Sequence, residues 1–183
     1  MDTYGQRIQS MVTAYDLDNA EFNDDAIQAL FKDDAAFASS IEREIAMFFA
    51  AADAVDNAEA LRLARSARRM MRERADVHFV GEQFYQREAE DLWLTMEGSA
   101  QWAGFSWLQL AISEGGAGLS RKDAREGFGQ HGDYWTQQLG LAITLTVDRL
   151  DDGSWKRHLF GDGRMTLLEL LDRDLGGDGL PSN

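Results

Sequence analysis

The chain has 183 residues, of which 44% are hydrophobic and 10% aromatic, and its formal net charge at pH 7 is −14. This length predicts a single domain, and the hydrophobic content excludes an intrinsically disordered chain. Since nucleic acids and anionic membranes bind clusters of Lys and Arg, the negative charge leads us to expect no nucleic acid and no membrane among the partners. The absence of cysteine excludes disulfides, Cys-ligated zinc and thiol catalysis.

Signals that interrupt helices or favour strands are scarce. The one proline, Pro181, lies near the end of the chain, and the period-2 alternation of β-branched residues that marks strands hardly occurs. No apolar run reaches the roughly 20 residues that span a bilayer, and no signal peptide is evident. We therefore predict an all-α, single-domain bundle of about seven helices over residues 1–175, a flexible tail over 176–183, and a cytoplasmic location.

Apolar residues at helical spacing predict four helices in the first half of the chain. The first has an apolar stripe at i, i+3, i+4 and i+7, formed by Ile8, Met11, Val12 and Tyr15. Aspartates that can act as N-caps precede the other three. These three helices are expected near residues 24–31, 34–52 and 58–74.

The second half of the chain alternates helical segments with glycine-rich loops. A long aromatic helix is expected from residue 81 or 82 to about residue 108, where Gly98 or Gly104 would break it. Thr166 and Glu169 form a capping-box pattern that starts the last short helix. The remaining expectations are loops over 113–119 and 127–132, a short helix after Ser120, and a helix over 134–150.

The charge is distributed unevenly along the chain. Residues 1–60 contain 13 acidic and 3 basic side chains, whereas residues 61–74 contain six arginines opposed only by Glu73. We interpret the arginine-rich helix as a solvated face that pairs with the acidic N-terminal half. An anion or nucleic-acid patch is the alternative, but no aromatic residues are interleaved with the arginines to stack on single-stranded bases.

Known catalytic motifs are largely missing. His78, His131 and His158 are the only histidines, and none is paired at the spacing of a HExxH zinc helix. GxSxG, P-loop and GxGxxG motifs do not occur, and neither does the Glu-x-x-His of dimetal helical bundles. These absences discount the common hydrolase, nucleotide-binding and dimetal helical designs.

One segment resembles a known family. Residues 97–102 read EGSAQW, which resembles the EGxAx(Y/W) helix of gluzincin-type zinc metallopeptidases. Residues 134–171, with the pair Trp155 and Lys156 and the segment TLLELL, are similar to the region after that helix in some bacterial members. The acidic helix and the arginine-rich helix upstream of Glu97 are also similar to the segments that precede this motif in the family. The resemblance therefore covers about residues 41–171.

The resemblance implies that Glu97 is a metal ligand, because the glutamate of this motif is the third zinc ligand in that superfamily. The two histidine ligands and the general-base glutamate of the family come from an earlier HExxH helix, and residues 1–40 contain no histidine. Catalytic zinc needs three protein ligands, so zinc is expected only if the missing ligands are supplied. His131 and His78 are the candidates within the chain, and no catalytic residue is assigned.

Two functions remain as hypotheses. The first is a metallopeptidase-like helical domain that lacks a complete zinc site and is non-catalytic as it stands, either as a fragment of a longer enzyme or as a homologue that has lost catalysis. The second is a non-catalytic helical interaction or dimerisation domain, in which an apolar aromatic face binds a second copy or a partner helix. In the second case Glu97 lies at the solvent edge or pairs with an arginine. Trp93, Trp102 and Trp107 then belong to the core or to that face.

Overall fold

The computed structural model describes residues 4–17, 23–128, 134–161 and 165–176. Within these ranges the protein has nine α-helices, two 3₁₀ turns and no β-strand, which confirms the predicted all-α class. The helices are α1 (Tyr4–Ala14), α2 (Asp24–Leu30), α3 (Ala35–Ala52), α4 (Asn57–His78), α5 (Gln86–Gln109), α6 (Arg121–Phe128), α7 (Trp135–Leu150), α8 (Trp155–Phe160) and α9 (Leu167–Asp174).

Helix α7 is the centre of the bundle. It packs against α3, α4, α5 and α9, and ten of its 16 residues are buried. A helix that is apolar around most of its circumference is typical of a core position. The hydroxyls of Thr144 and Thr146 are also buried there, and each donates to the carbonyl oxygen four residues earlier at 2.8 Å. These polar groups are therefore satisfied within the helix.

Local capping signals explain where several helices begin. The Asp34 carboxylate accepts two backbone N–H bonds at the start of α3, and Asp56 accepts one at the start of α4. Thr166 and Glu169 form the complete capping box of α9, as predicted. The Ser120 hydroxyl accepts the N–H of Asp123 at 3.1 Å before α6. These side chains replace the missing partners of the first helical N–H groups.

Two sequence expectations differ from the structure. Helix α5 is continuous through Gly98 and Gly104, so the predicted break is wrong, and its first turn follows a separate 3₁₀ turn, Gly81–Gln83. Tertiary packing of α5 on α7 overrides the low helix propensity of glycine. Helix α8 was not predicted, because six residues are too few for a periodic pattern. The fully buried side chain of Trp155 holds α8 in the core.

Part of the sequence interpretation lies beyond what the structure describes. Residues 177–183 are outside the described ranges, so the flexible tail stays a prediction. Among the helices that are described, none combines the length and the apolar character needed to cross a membrane.

Candidate functional site

Glu97, the residue that the family resemblance singles out, is partly buried on α5. The neighbouring Gly98 touches α7 at Gly140. A Cβ on Gly98 would lie 2.6 Å from the Gly140 carbonyl oxygen, and a Cβ on Gly140 would lie 2.8 Å from the Gly98 Cα atom. Both distances are too short for a side chain, so the close crossing of the two helices requires glycine on each. The small residue after Glu97 therefore packs on α7, a helix without histidine.

His78, the second candidate ligand, lies at the end of α4 and joins it to the start of α3. Its Nδ1 atom is 3.2 Å from the Asp34 carboxylate, and its ring packs edge-on against Phe31 and Phe37. The backbone hydrogen bond from Phe37 is the main cause that lowers the pKa of Asp34. His78 thus has a structural role as the partner of a helix cap, and none of these contacts involves Glu97.

His131, the third candidate ligand, lies outside the described residues. A site that contains it stays a prediction. In the part of the chain that the structure describes, no group of three or more His, Cys, Asp or Glu side chains is arranged to hold a metal ion. Glu97 and His78 therefore do not form, with other described residues, the three-ligand zinc site that the resemblance implies.

Three of the six arginines of α4 bind the C-terminal helix α9 or the residue that follows it. Arg68 makes a bidentate pair with Asp172 of α9, with N–O distances of 2.9 and 2.8 Å, and Arg72 reaches the same carboxylate at 3.1 Å. Arg65 donates to the Leu175 carbonyl oxygen at 3.0 Å. The predicted pairing with the acidic N-terminal half is therefore wrong for these three arginines, which instead hold α9 against α4.

Arg74 does pair with the N-terminal half, and it does so inside the core. Its Nε donates to Glu44 at 2.9 Å, and its Nη2 donates to Glu44 at 3.0 Å and to Glu90 at 2.7 Å. All three side chains are at most 5% exposed. Burial is the largest cause that acts on Glu44, and it raises the pKa of this carboxyl to about 7 against the opposing effect of Arg74.

Another carboxylate on α5, Asp91, is partly buried and binds the beginning of α9. It accepts the Thr166 hydroxyl at 2.7 Å and the Leu168 N–H at 3.3 Å, while the Thr95 hydroxyl accepts the Leu167 N–H at 2.8 Å. Burial raises the pKa of Asp91 to about 6, and the bonds from Thr166 and Leu168 oppose that rise. Negative charge at a helix N-terminus is favourable, so Asp91 fastens α9 to α5.

The opposite end of α5 carries an exposed apolar surface. Four large side chains at the helix end and in the loop after it are 52, 45, 79 and 40% exposed. They are Trp107, Leu110, Ile112 and Leu119, and we refer to them as the Trp107 surface. Exposed apolar groups are common singly, but a set of them in one segment is typical of an interaction site.

Backbone hydrogen bonds fix the loop that presents this surface. The N–H of Gly118 donates to the Leu110 carbonyl oxygen at 2.8 Å, and the Leu119 N–H donates to Leu108 at 2.8 Å. The Trp107 indole N–H donates to the Gly115 carbonyl oxygen at 2.9 Å. Gly115 and Gly118 have φ angles of +84° and +67°, a conformation that favours glycine. The loop that the three glycines predicted is therefore ordered by its own hydrogen bonds.

A groove of about 470 Å³ adjoins the Trp107 surface, and Leu119 belongs to both. Its volume falls in the usual range of binding pockets. The groove is lined by Gln101, Leu108, Leu119, Gly127, Gln137, Gln138 and Leu141. None of the described residues that line it is charged: they are three leucines, three glutamines and a glycine. Sequence reasoning missed it, because residues of α5, α6 and α7 meet there only in the folded chain.

Comparison with protein-family models, with curated proteins and with solved structures found no match to this chain. The resemblance to gluzincin-type metallopeptidases therefore rests on the sequence segments quoted above.

Proposed function

We propose that this chain is a non-catalytic helical interaction domain that forms a homodimer through the Trp107 surface. One observation carries the proposal: four large apolar side chains are exposed on a segment whose backbone is hydrogen-bonded to the end of α5. A loop that is already ordered loses little conformational freedom on binding. Its apolar side chains gain by leaving water.

The local charge favours a second copy as the partner. Residues 107–120 include a single charged side chain, Glu114, in a chain of which 27% of the residues are charged. Two copies can therefore bring these segments together with little repulsion, although each chain carries a net charge of −14. Symmetric dimers use the same patch on both subunits, and tryptophan is enriched among the residues that dominate binding energy.

Sedimentation equilibrium of the wild type, Trp107→Ser and Ile112→Ser tests the dimer. We expect the wild type to associate in a concentration-dependent way. The association constant is expected to be lower by about tenfold or more in each variant, because a central apolar contact contributes at least about 1.4 kcal/mol to binding. Val55→Ser is the matched control, since Val55 is 99% exposed in the turn between α3 and α4. A wild type that is strictly monomeric at high concentration, or equal association of all four proteins, contradicts the dimer.

A metallopeptidase-like domain is the second candidate, and the contact of Gly98 favours it. The resemblance implies that a small residue after the glutamate lets its helix pack closely on a neighbour, and Gly98 makes such a contact. The neighbour is α7, which has no histidine, so any zinc ligands beside Glu97 would come from other segments. In this interpretation the domain lacks a complete zinc site and is non-catalytic as it stands.

Zinc analysis of the purified chain separates this candidate from the first. If Glu97 is a ligand, the wild type is expected to bind zinc in stoichiometric amount. This zinc is expected to be lost in Glu97→Ala and in a variant of a histidine ligand such as His131→Ala. Glu88→Ala is the control, because Glu88 is exposed on the same helix. A chain without stoichiometric zinc, or with zinc content unchanged by Glu97→Ala, refutes a metal-binding role for Glu97.

A further inference from the structure

The buried cluster of Glu44, Arg74 and Glu90 contains two carboxyl groups and one guanidinium. Its side chains come from α3, α4 and α5 and are at most 5% exposed. If both carboxyl groups are ionised, the cluster has an excess of one negative charge in the core. An uncompensated charge in such surroundings is strongly unfavourable, and buried groups usually change their protonation instead.

The surroundings of the cluster are aromatic. The guanidinium carbon of Arg74 lies 4.9 Å from the ring centroid of Phe37, 5.4 Å from that of Phe79 and 5.9 Å from that of Trp135. Its Nη1 atom is buried and has no hydrogen-bond partner among the described residues. The faces of aromatic rings favour a cation and disfavour an anion. The rings therefore support Arg74 but do nothing to stabilise a second carboxylate.

The other charged groups nearby are already engaged or exposed. Arg68 and Arg72 of α4 pair with Asp172, and Arg87 of α5 pairs with Asp76 at 2.9 Å. Arg43 of α3 is exposed and donates to serines of its own helix. Among the described residues, Arg43 of α3 interacts electrostatically with Glu44, and Arg68 of α4 does so with Glu90. Arg72, Arg87 and Asp91 line one cavity with Arg68 and Glu90, and α7 contributes the uncharged Trp135 ring. None of these arginines makes a described hydrogen bond to Glu44 or Glu90.

We propose that the Glu44 carboxyl, which shares the Arg74 guanidinium with Glu90, holds a proton at neutral and mildly acidic pH, and that loss of this proton loosens the packing of α3 and α5 on α4. With one proton bound, one carboxylate faces one guanidinium and the buried cluster is neutral. Loss of the proton to solvent leaves the cluster with one net negative charge. The cluster is thus a proton-binding site that makes the stability of the domain depend on pH near neutrality.

The raised pKa of Glu44 has the direction that this arrangement requires. Its value of about 7 in the folded protein lies above the ordinary value of 4.5. The folded state therefore binds the proton more tightly than the unfolded chain does. The resulting stability is fully present below about pH 4.5 and is lost as the pH rises through about 7.

Denaturant unfolding between pH 5 and pH 9 tests the proposal. We expect the folding equilibrium constant of the wild type to fall by up to about tenfold per pH unit between pH 5 and pH 7. Glu44→Gln and Glu90→Gln remove the excess charge with little change of shape, so both are expected to give a flatter profile and higher stability than the wild type at pH 8. Glu42→Gln, at an exposed position on α3, is expected to keep the wild-type profile.

Infrared spectroscopy of the folded wild type provides a readout that does not depend on the stability of the variants. Glutamate labelled with ¹³C at the side-chain carboxyl group identifies a protonated glutamic acid by its shifted C=O stretching band. One such band at pH 6 that disappears at pH 9 supports the proposal. A folded protein with no protonated glutamic acid at pH 6, or equal pH profiles in the wild type and both glutamine variants, overturns it.

Discussion

The two ends of α5 use side chains in opposite ways. Near its beginning, Glu90, Asp91 and Thr95 are polar groups inside the protein, and each binds a neighbouring helix. Near its end, Trp107 is a large apolar side chain that stays exposed, on a loop held by hydrogen bonds. Polar groups can be buried where partners meet them. The apolar groups stay exposed on a segment that is fixed by backbone hydrogen bonds and by the Trp107 indole. We therefore expect stability to depend on the first end and binding on the second.

The largest effect is expected when Arg74 is removed. Arg74→Met leaves Glu44 and Glu90 buried without their cation, which is expected to lower the free energy of unfolding at pH 7 by about 3–5 kcal/mol in urea titrations. The loss is expected to be smaller at pH 5, where Glu44, whose pKa burial raises to about 7, can be protonated. Arg69→Met is the control, because Arg69 is exposed and its pair with Glu73 is 3.8 Å long; a change within about 0.5 kcal/mol is expected there. Similar losses in both variants would show that the buried pairs of Arg74 stabilise the protein no more than an exposed pair does.

The next largest effect is expected at Gly98, which lies between the two ends of α5 and contacts Gly140 of α7. Gly98→Ala places a methyl group 2.6 Å from the Gly140 carbonyl oxygen, so the helices have to separate, and a loss of about 1–3 kcal/mol in thermal or urea unfolding is expected. Gly127→Ala on α6 meets no atom of a described residue within 4 Å. Because alanine is the better helix former, this control is expected to gain up to about 1 kcal/mol. A neutral Gly98→Ala would show that α5 and α7 can move apart without loss.

A smaller effect is expected at the cap of α9. Thr166→Val removes the hydroxyl that caps the helix and donates to Asp91, and a loss of about 1–2 kcal/mol is expected. Hydrogen exchange of the α9 amides measures this loss locally. Thr166→Ser keeps the hydroxyl and is expected to retain most of the protection. Equal exchange in both variants would mean that the hydroxyl bonds do not hold α9.

The smallest effect on stability is expected at the Trp107 surface. Ile112 is 79% exposed, so Ile112→Ser is expected to change the free energy of unfolding by no more than about 0.5 kcal/mol. The same substitution is expected to weaken self-association, as proposed above. Unfolding measured at a concentration where the protein is monomeric separates the two effects. A loss above about 1 kcal/mol there would show that this end of α5 also stabilises the fold.

Local signals in the sequence predicted the helix starts well. Asp34, Asp56 and the pair Thr166 and Glu169 act within one turn of the chain, and each caps the expected helix. The break expected at Gly98 was wrong, because propensity is a local preference whereas the contact with Gly140 comes from a distant helix. The candidate ligand Glu97 still rests on the family resemblance and His131 on composition, since residue type alone does not show which groups converge.

The sequence by itself determined the all-α class, because proline content, hydrophobic spacing and capping residues act over a few neighbouring positions. Only the tertiary structure decided what the charges do. The six arginines of residues 61–74 are alike in sequence, yet Arg74 is buried between two glutamates, while Arg68 and Arg72 share Asp172. The physical reason is that burial and pairing depend on which helix faces meet. The net charge of −14 therefore did not reveal that one buried cluster has two carboxyl groups and a single guanidinium.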